Sequence, residues 1–156
     1  LNIVRDSIAV REQVGYLAHT PGLYEDLTAR ENLKFAADML GLPKSSADSS
    51  LERVGLGPVA NNRVRGFSAG MQRRLALARL IMRKPKVLLL DEPYSNLDEE
   101  GVELMNSVIT DILEANGAAL LALHELAPAR GVLNRTVKLV DGRADVMRND
   151  AVMAVI

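Results

Sequence analysis

The sequence predicts an α/β domain built on a mainly parallel sheet. Two short, wholly apolar runs, Val87–Leu90 and Ala118–Leu123, read as strands buried on both faces. Capped helical segments precede and separate these runs, and strands alternating with helices define the class. The length of 156 residues suits one such domain.

Taken in order, Leu1–Arg5 and Val14–Leu17 are β-branched-rich and predict strands. His19-Thr20-Pro21-Gly22 is a loop, because Pro-Gly continues neither helix nor strand. Thr28 and Glu31 form a capping box, and Leu33, Ala36, Ala37 and Leu40 follow at helical spacing until Gly41 and Pro43. Lys44–Ser50 reads as a Ser-rich polar linker, with at most a short helix at Leu51–Val54. Past the polar loop 61–66, Ser68 caps a second long helix that runs to about Arg83, with Leu75, Ala78, Arg79 and Met82 on one face. Asp98 opens a third, whose stripe of Val102, Met105, Val108, Ile109, Ile112 and Leu113 ends before Gly117. Asp141-Gly142 between Val137–Val140 and Arg143–Met147 predicts a hairpin.

Composition narrows function by exclusion. Hydrophobic residues at 48% and charged residues at 25% exclude disorder of the whole chain. A net charge of −1 argues against a nucleic-acid partner, since such binders carry a positive excess. Zero cysteines exclude disulfides, thiolate metal sites and cysteine nucleophiles. The longest apolar run, Ala118–Leu123, is far short of the roughly 20 residues that span a bilayer. The chain reads as soluble, although it opens on Leu1 within strand-like sequence. The basic series Arg73, Arg74, Arg79, Arg83, Lys84 and Lys86 reads as a solvated helix face.

The chemistry gathers at Asp91-Glu92, an acid pair ending an apolar strand. At the carboxyl edge of an open α/β sheet, where ligands bind, such a pair divides labour. Asp91 would hold Mg²⁺ through water, and Glu92 would orient and deprotonate an attacking water. The alternative is that the two acids merely begin a loop. Ser68 and Gly70 open a helix, whose free N–H groups and dipole favour an anion; Ser68 also serves as an ordinary N-cap. His124 follows the Ala118–Leu123 strand, so a parallel sheet carries it to the same edge, where a neutral imidazole can bond a phosphate and position water. Its alternative is a structural histidine.

These segments resemble the motifs of ABC-type ATPases. Asp91-Glu92-Pro93-Tyr94-Ser95-Asn96-Leu97-Asp98 is similar to their Walker B motif and D-loop, and Phe67-Ser68-Ala69-Gly70-Met71-Gln72-Arg73-Arg74 to their signature motif. His124 stands where the family has its switch histidine, and Val14-Gly15-Tyr16-Leu17-Ala18-His19 where it has its Q-loop. The resemblance implies ATP and Mg²⁺ as ligands. It further implies a head-to-tail sandwich homodimer, or pairing with a second ABC ATPase subunit. In either, Ser68, Ala69, Gly70 and Met71 contact the nucleotide of the other subunit, and Asp98 signals across the interface. It implies docking on transporter transmembrane subunits through the helical region Thr28–Arg83, and a cytoplasmic protein peripheral on the cytoplasmic face of the membrane.

Three departures stand out. Ala69 replaces the signature's second Gly and Met71 its Gln, while His19 takes the Q-loop Gln position, with a loop histidine as its alternative. No Gly-x-x-x-x-Gly-Lys-Ser/Thr occurs, since none of the 11 glycines is followed by Lys. The expected organisation is therefore one ABC ATPase domain over 1–156 lacking its N-terminal P-loop portion. A helical subdomain would occupy approximately 23–84, and a Walker B, D-loop and switch-His core with the C-terminal hairpin 85–156. Tyr16-Leu17-Ala18-His19-Thr20-Pro21-Gly22 and Glu31-Asn32-Leu33-Lys34-Phe35-Ala36-Ala37-Asp38-Met39-Leu40 resemble the ATP-binding subunits of the bacterial haem exporters of cytochrome c maturation. The leading expectation is an ATPase subunit energising such transport, with residues 1–156 inactive alone. The alternatives are a soluble non-transport ABC ATPase and a non-catalytic interaction fragment.

Overall fold

The computed structural model describes residues 2–147. Its elements run α1 (Ser7–Gln13), β1 (Val14–Leu17), α2 (Ala29–Met39), α3 (Ser45–Arg53), α4 (Ala69–Ile81), β2 (Val87–Asp91), α5 (Glu99–Glu114), β3 (Ala118–Ala122), β4 (Thr136–Val140) and β5 (Arg143–Met147). β1, β2 and β3 form a parallel sheet in that order, and β4 and β5 pair antiparallel.

All three anticipated helix starts form as the side-chain chemistry requires. Thr28 Oγ1 accepts from the Glu31 N–H at 3.1 Å while Glu31 Oε2 accepts from the Thr28 N–H at 2.7 Å, a complete capping box. Ser68 Oγ accepts from the Met71 N–H, and Asp98 Oδ1 from the Gly101 N–H. The hairpin turn at Asp141-Gly142 has both central φ angles positive, 49° and 73°, as a type I′ turn demands. Asn32, buried in α2, donates to the carbonyls of Tyr24 and Thr28 and accepts from the Tyr24 N–H, which pins the loop ahead of the helix.

Two element expectations are corrected. Of the anticipated strand Leu1–Arg5, Leu1 lies outside the described residues and Asn2–Arg5 is a turn leading into α1. Asn2 Oδ1 accepts from the N–H groups of Val4 and Arg5, so a local side-chain bond wins over β-branched propensity where no strand offers a partner. The expected linker Lys44–Ser50 lies largely within α3, and Leu51–Arg53 is its last turn. Ala47, Ser50, Leu51 and Val54 are all buried at helical spacing, so tertiary burial overrides the modest propensity of four serines.

A third correction concerns the two apolar runs, neither of which is covered on both faces. In β2, Leu88 and Leu90 are buried while Val87 and Leu89 are only partly so. β3 is an edge strand with Leu120 67% exposed. α4 lies against β1 and α5 against β3, so a helical layer covers the face that carries Leu17, Leu88, Leu90 and Leu121. The register sets Tyr16, Leu89 and Leu120 in one row on the opposite face, where Tyr16 is 61% exposed. The sheet as described carries its helical layer on one face.

Candidate active site

Parallel pairing decides where the acids and the histidine meet. Asp91 ends β2 opposite Ala122 of β3, and the Glu92 N–H continues the ladder to the Ala122 carbonyl at 3.0 Å. Two residues beyond Ala122 the chain reaches His124, whose Nε2 lies 3.2 Å from Glu92 Oε1. The imidazole side chain is 74% exposed and the Glu92 side chain 22% exposed, so the histidine faces solvent beside a mostly sheltered carboxylate. Glu92 holds φ at +47°, in the left-handed region that non-glycine residues avoid. β1 runs parallel to β2 with Leu17 opposite Leu90, which brings the Ala18-His19 turn to the same sheet edge.

Ser68, Ala69, Gly70 and Met71 are not at that edge. They line a separate groove of about 630 Å³ with Arg74, Asn96 and Asp98, and none of Asp91, Glu92, His124 or His19 borders it. A Cβ built on Gly70 would stand 2.8 Å from the Asn96 carbonyl oxygen, so glycine is needed here for contact with the chain's own D-loop as well as for any anion. Asp98 caps α5 and also receives a 2.6 Å hydrogen bond from Arg74. That bond, followed by the Gly101 N–H, holds the Asp98 carboxyl below its usual range.

The basic series is not a uniformly solvated face. Arg73 is buried, and Arg74 is mostly buried against Asp98 and Glu100. Arg79 donates to the carbonyls of Pro21 and Gly22. Burial lowers the Arg73 and Arg79 pKa values, partly offset at Arg73 by nearby Asp91 and Glu92. Tyr94 was also missed: its partly buried hydroxyl donates to Asn106 Oδ1 at 2.6 Å, while Asn106 donates to the Pro128 carbonyl, tying the loop after the acid pair to the loop after His124. Burial pushes the Tyr94 pKa upward.

Among the described residues no three His, Cys, Asp or Glu side chains gather as a metal cage. One acid ending a strand beside a second fits Mg²⁺, which keeps its waters and takes most other ligands from substrate phosphates.

A parallel sheet with an acid pair on its carboxyl edge, next to a helical layer, is the P-loop NTPase-like fold of an ABC ATPase. A family model described as ABC transporter matches residues 2–95, and the chain belongs to that family. It is 42% identical over 127 residues to a cytochrome c biogenesis ATP-binding export protein CcmA of Xylella fastidiosa, covering 81% of this chain and 59% of that protein. It is 40% identical over 124 residues to CcmA 2 of Cupriavidus metallidurans, covering 78% and 58%. The chain therefore spans less than two thirds of these relatives. A solved structure described as an ATP binding subunit of an ABC transporter superposes with a TM-score of 0.82 at 27% identity, over 96% of this chain and 65% of that one. A second, cbiO1 of Clostridium perfringens, superposes with a TM-score of 0.73 at 24% identity over 88% and 57%, a likeness of fold.

Proposed function

We propose that these residues belong to an ATP-hydrolysing subunit that energises an ABC-type exporter, and that the cargo is haem for cytochrome c maturation. The Glu92–His124 contact carries the hydrolytic part of this reading. Glu92 accepts the proton of the attacking water, and His124 holds that carboxylate and bonds the terminal phosphate. Asp91 would hold Mg²⁺, which when bound would supply positive charge that neutralises the phosphates. His19 approaches the same centre from β1. Ser68, Ala69, Gly70 and Met71 cap a nucleotide held by a second ATPase subunit, and their separation from the acid pair supports a site shared between two chains. Asp98, fixed to Arg74 beside that turn, carries the signal across the interface.

The export part rests on the relatives' names together with the His19 segment. No helix among the described residues is long and apolar enough to cross a membrane. Relatives named as ATP-binding export proteins support a membrane subunit as the partner, with the ATPase on its cytoplasmic face. A cleft of about 300 Å³ lined by Tyr16, Tyr24, Phe35, Met39 and Arg79 supplies an apolar seat for it. The test is Glu92→Gln in the full-length protein: ATP binding is kept and phosphate release is lost. Normal phosphate release would remove the assignment.

A further inference from the structure

We infer that Arg73 is a positioning residue for the proposed hydrolysis, holding the main chain of the acid pair and of the His19 turn in one fixed relation; the inference rests on the ATPase reading above. Arg73 lies on α4, behind the Ser68–Met71 turn, and is 3% exposed. A guanidinium offers five N–H donors and no acceptor, and burying its charge is costly unless those donors are met. Here they are met by backbone from two strands. Nη1 donates to the carbonyls of Ala18 at 2.5 Å and His19 at 3.2 Å. Nη2 donates to those of Asp91 at 2.6 Å and Glu92 at 2.5 Å, and Nε reaches that of Pro93 at 3.4 Å.

The clamp addresses carbonyls and leaves the side chains of Asp91 and Glu92 to the substrate. It also accounts for a strained residue. Glu92 at φ +47° persists only where its surroundings over-determine it. Three consecutive carbonyls converging on one guanidinium, with the Glu92 N–H fixed to Ala122, supply that constraint. Because the clamp rides on α4, any tilt of the helix that carries the signature turn moves the Glu92 backbone and the His19 turn together. Lysine cannot replace it, since an ammonium is a point donor and cannot fork to two segments.

The test compares Arg73→Met, Arg73→Lys and Glu92→Gln in the full-length protein, measuring Mg-ATP affinity, kcat and hydrogen exchange. Arg73→Met should leave ATP affinity nearly unchanged while kcat falls on the order of 10²-fold, the scale of a misplaced catalytic group. Arg73→Lys should fall between it and the parent. Exchange should rise together at 18–20 and 91–94 and stay unchanged in α5. Unchanged kcat below the melting temperature in either variant overturns the inference, as does a parallel loss of affinity and kcat with exchange raised throughout. If Arg73→Met does not fold, the kcat of Arg73→Lys decides. Full hydrolysis by Glu92→Gln would sink the ATPase reading itself, whereas a dead Glu92→Gln beside a fully active Arg73→Lys sinks only the clamp.

Discussion

Glu92 Oε1 and His124 Nε2 stand 3.2 Å apart, on residues that follow the ends of adjacent parallel strands. The pairing is a product of register: Asp91 lies opposite Ala122, so the residues just beyond converge. With the carboxylate directed by an imidazole, removing either partner should act on the chemical step. In the full-length protein Glu92→Gln should abolish proton acceptance, with a loss beyond the roughly 10²–10⁴ of acid–base groups. His124→Ala should fall within that range. Single-turnover phosphate release on ATP-saturated enzyme measures both, and a His124→Ala rate equal to the parent would dissociate the histidine from the step.

Gly70 permits a test in which the sign of the effect decides. In open space, Gly70→Ala in the first turn of α4 would stabilise by up to about 1 kcal/mol through helix propensity. The new Cβ instead meets the Asn96 carbonyl at 2.8 Å, and backbone on both sides leaves little room to yield. We expect destabilisation of about 1–3 kcal/mol, the scale of overpacking. Urea unfolding of the two proteins checks it, and a more stable alanine variant would show that the D-loop moves freely.

How much of this was legible in the sequence depends on what each residue does. Thr28, Ser68 and Asp98 announced helix starts because capping is local chemistry, and the acid pair announced the sheet edge because apolar strands seldom end so. α3 was hidden because its buried face is made of Ala47 and Ser50 beside Leu51, a pattern of small residues that reads as polar linker. Arg73 was hidden because its partners are backbone carbonyls, which leave no trace in residue identity. Leu89 and Leu120 were read as buried on both faces because a continuous apolar run looks the same whether one face or both are covered, and only the face of Leu88, Leu90 and Leu121 is buried.

Asp98 and Arg74 give a pH dependence. The Arg74 hydrogen bond first, and the Gly101 N–H second, hold the Asp98 carboxyl below its ordinary value. A carboxylate with a lowered folded pKa contributes stability that is full above its unfolded value, about 3.9, and is lost as pH falls through the folded value. Asp98→Asn keeps a capping side chain but not the charge. Thermal melts from about pH 7 down to about pH 3 should therefore show a shallower acid loss in Asp98→Asn than in the parent. Identical slopes would place the acid sensitivity elsewhere.

The separation of the Ser68 turn from the acid pair predicts division of labour between subunits. Mixed dimers of Ser68→Arg with Glu92→Gln should pair the intact Glu92 of one chain with the intact Ser68 of the other at one site, and gather both lesions at the second. One site should therefore survive, with hydrolysis by the heterodimer at up to half the parent rate although each variant alone is dead. Heterodimers with no hydrolysis would mean that each chain completes its own site.

Residues 1–156 by themselves should neither bind ATP tightly nor hydrolyse it. In the proposed mechanism Asp91, Glu92 and His124 would act on the terminal phosphate of a nucleotide anchored elsewhere, and the family's anchor is a nest of N–H groups with a lysine that no glycine here precedes. The fold adds a second expectation. β2 is hydrogen-bonded on both sides, so among the described residues the free edges of this sheet are those of β1 and β3, and β3 carries the exposed Leu120. Unpaired edges template association, and the row of Tyr16, Leu89 and Leu120 adds an uncovered apolar face. The isolated segment should therefore self-associate, and Leu120→Lys, a charge on that edge strand, should reduce the association while leaving helix content unchanged. Light scattering with circular dichroism reads the first effect, and titration calorimetry with Mg-ATP on the monodisperse Leu120→Lys form reads the second. Micromolar binding in that titration would reveal a nucleotide anchor within these residues and overturn the division between anchor and hydrolytic edge.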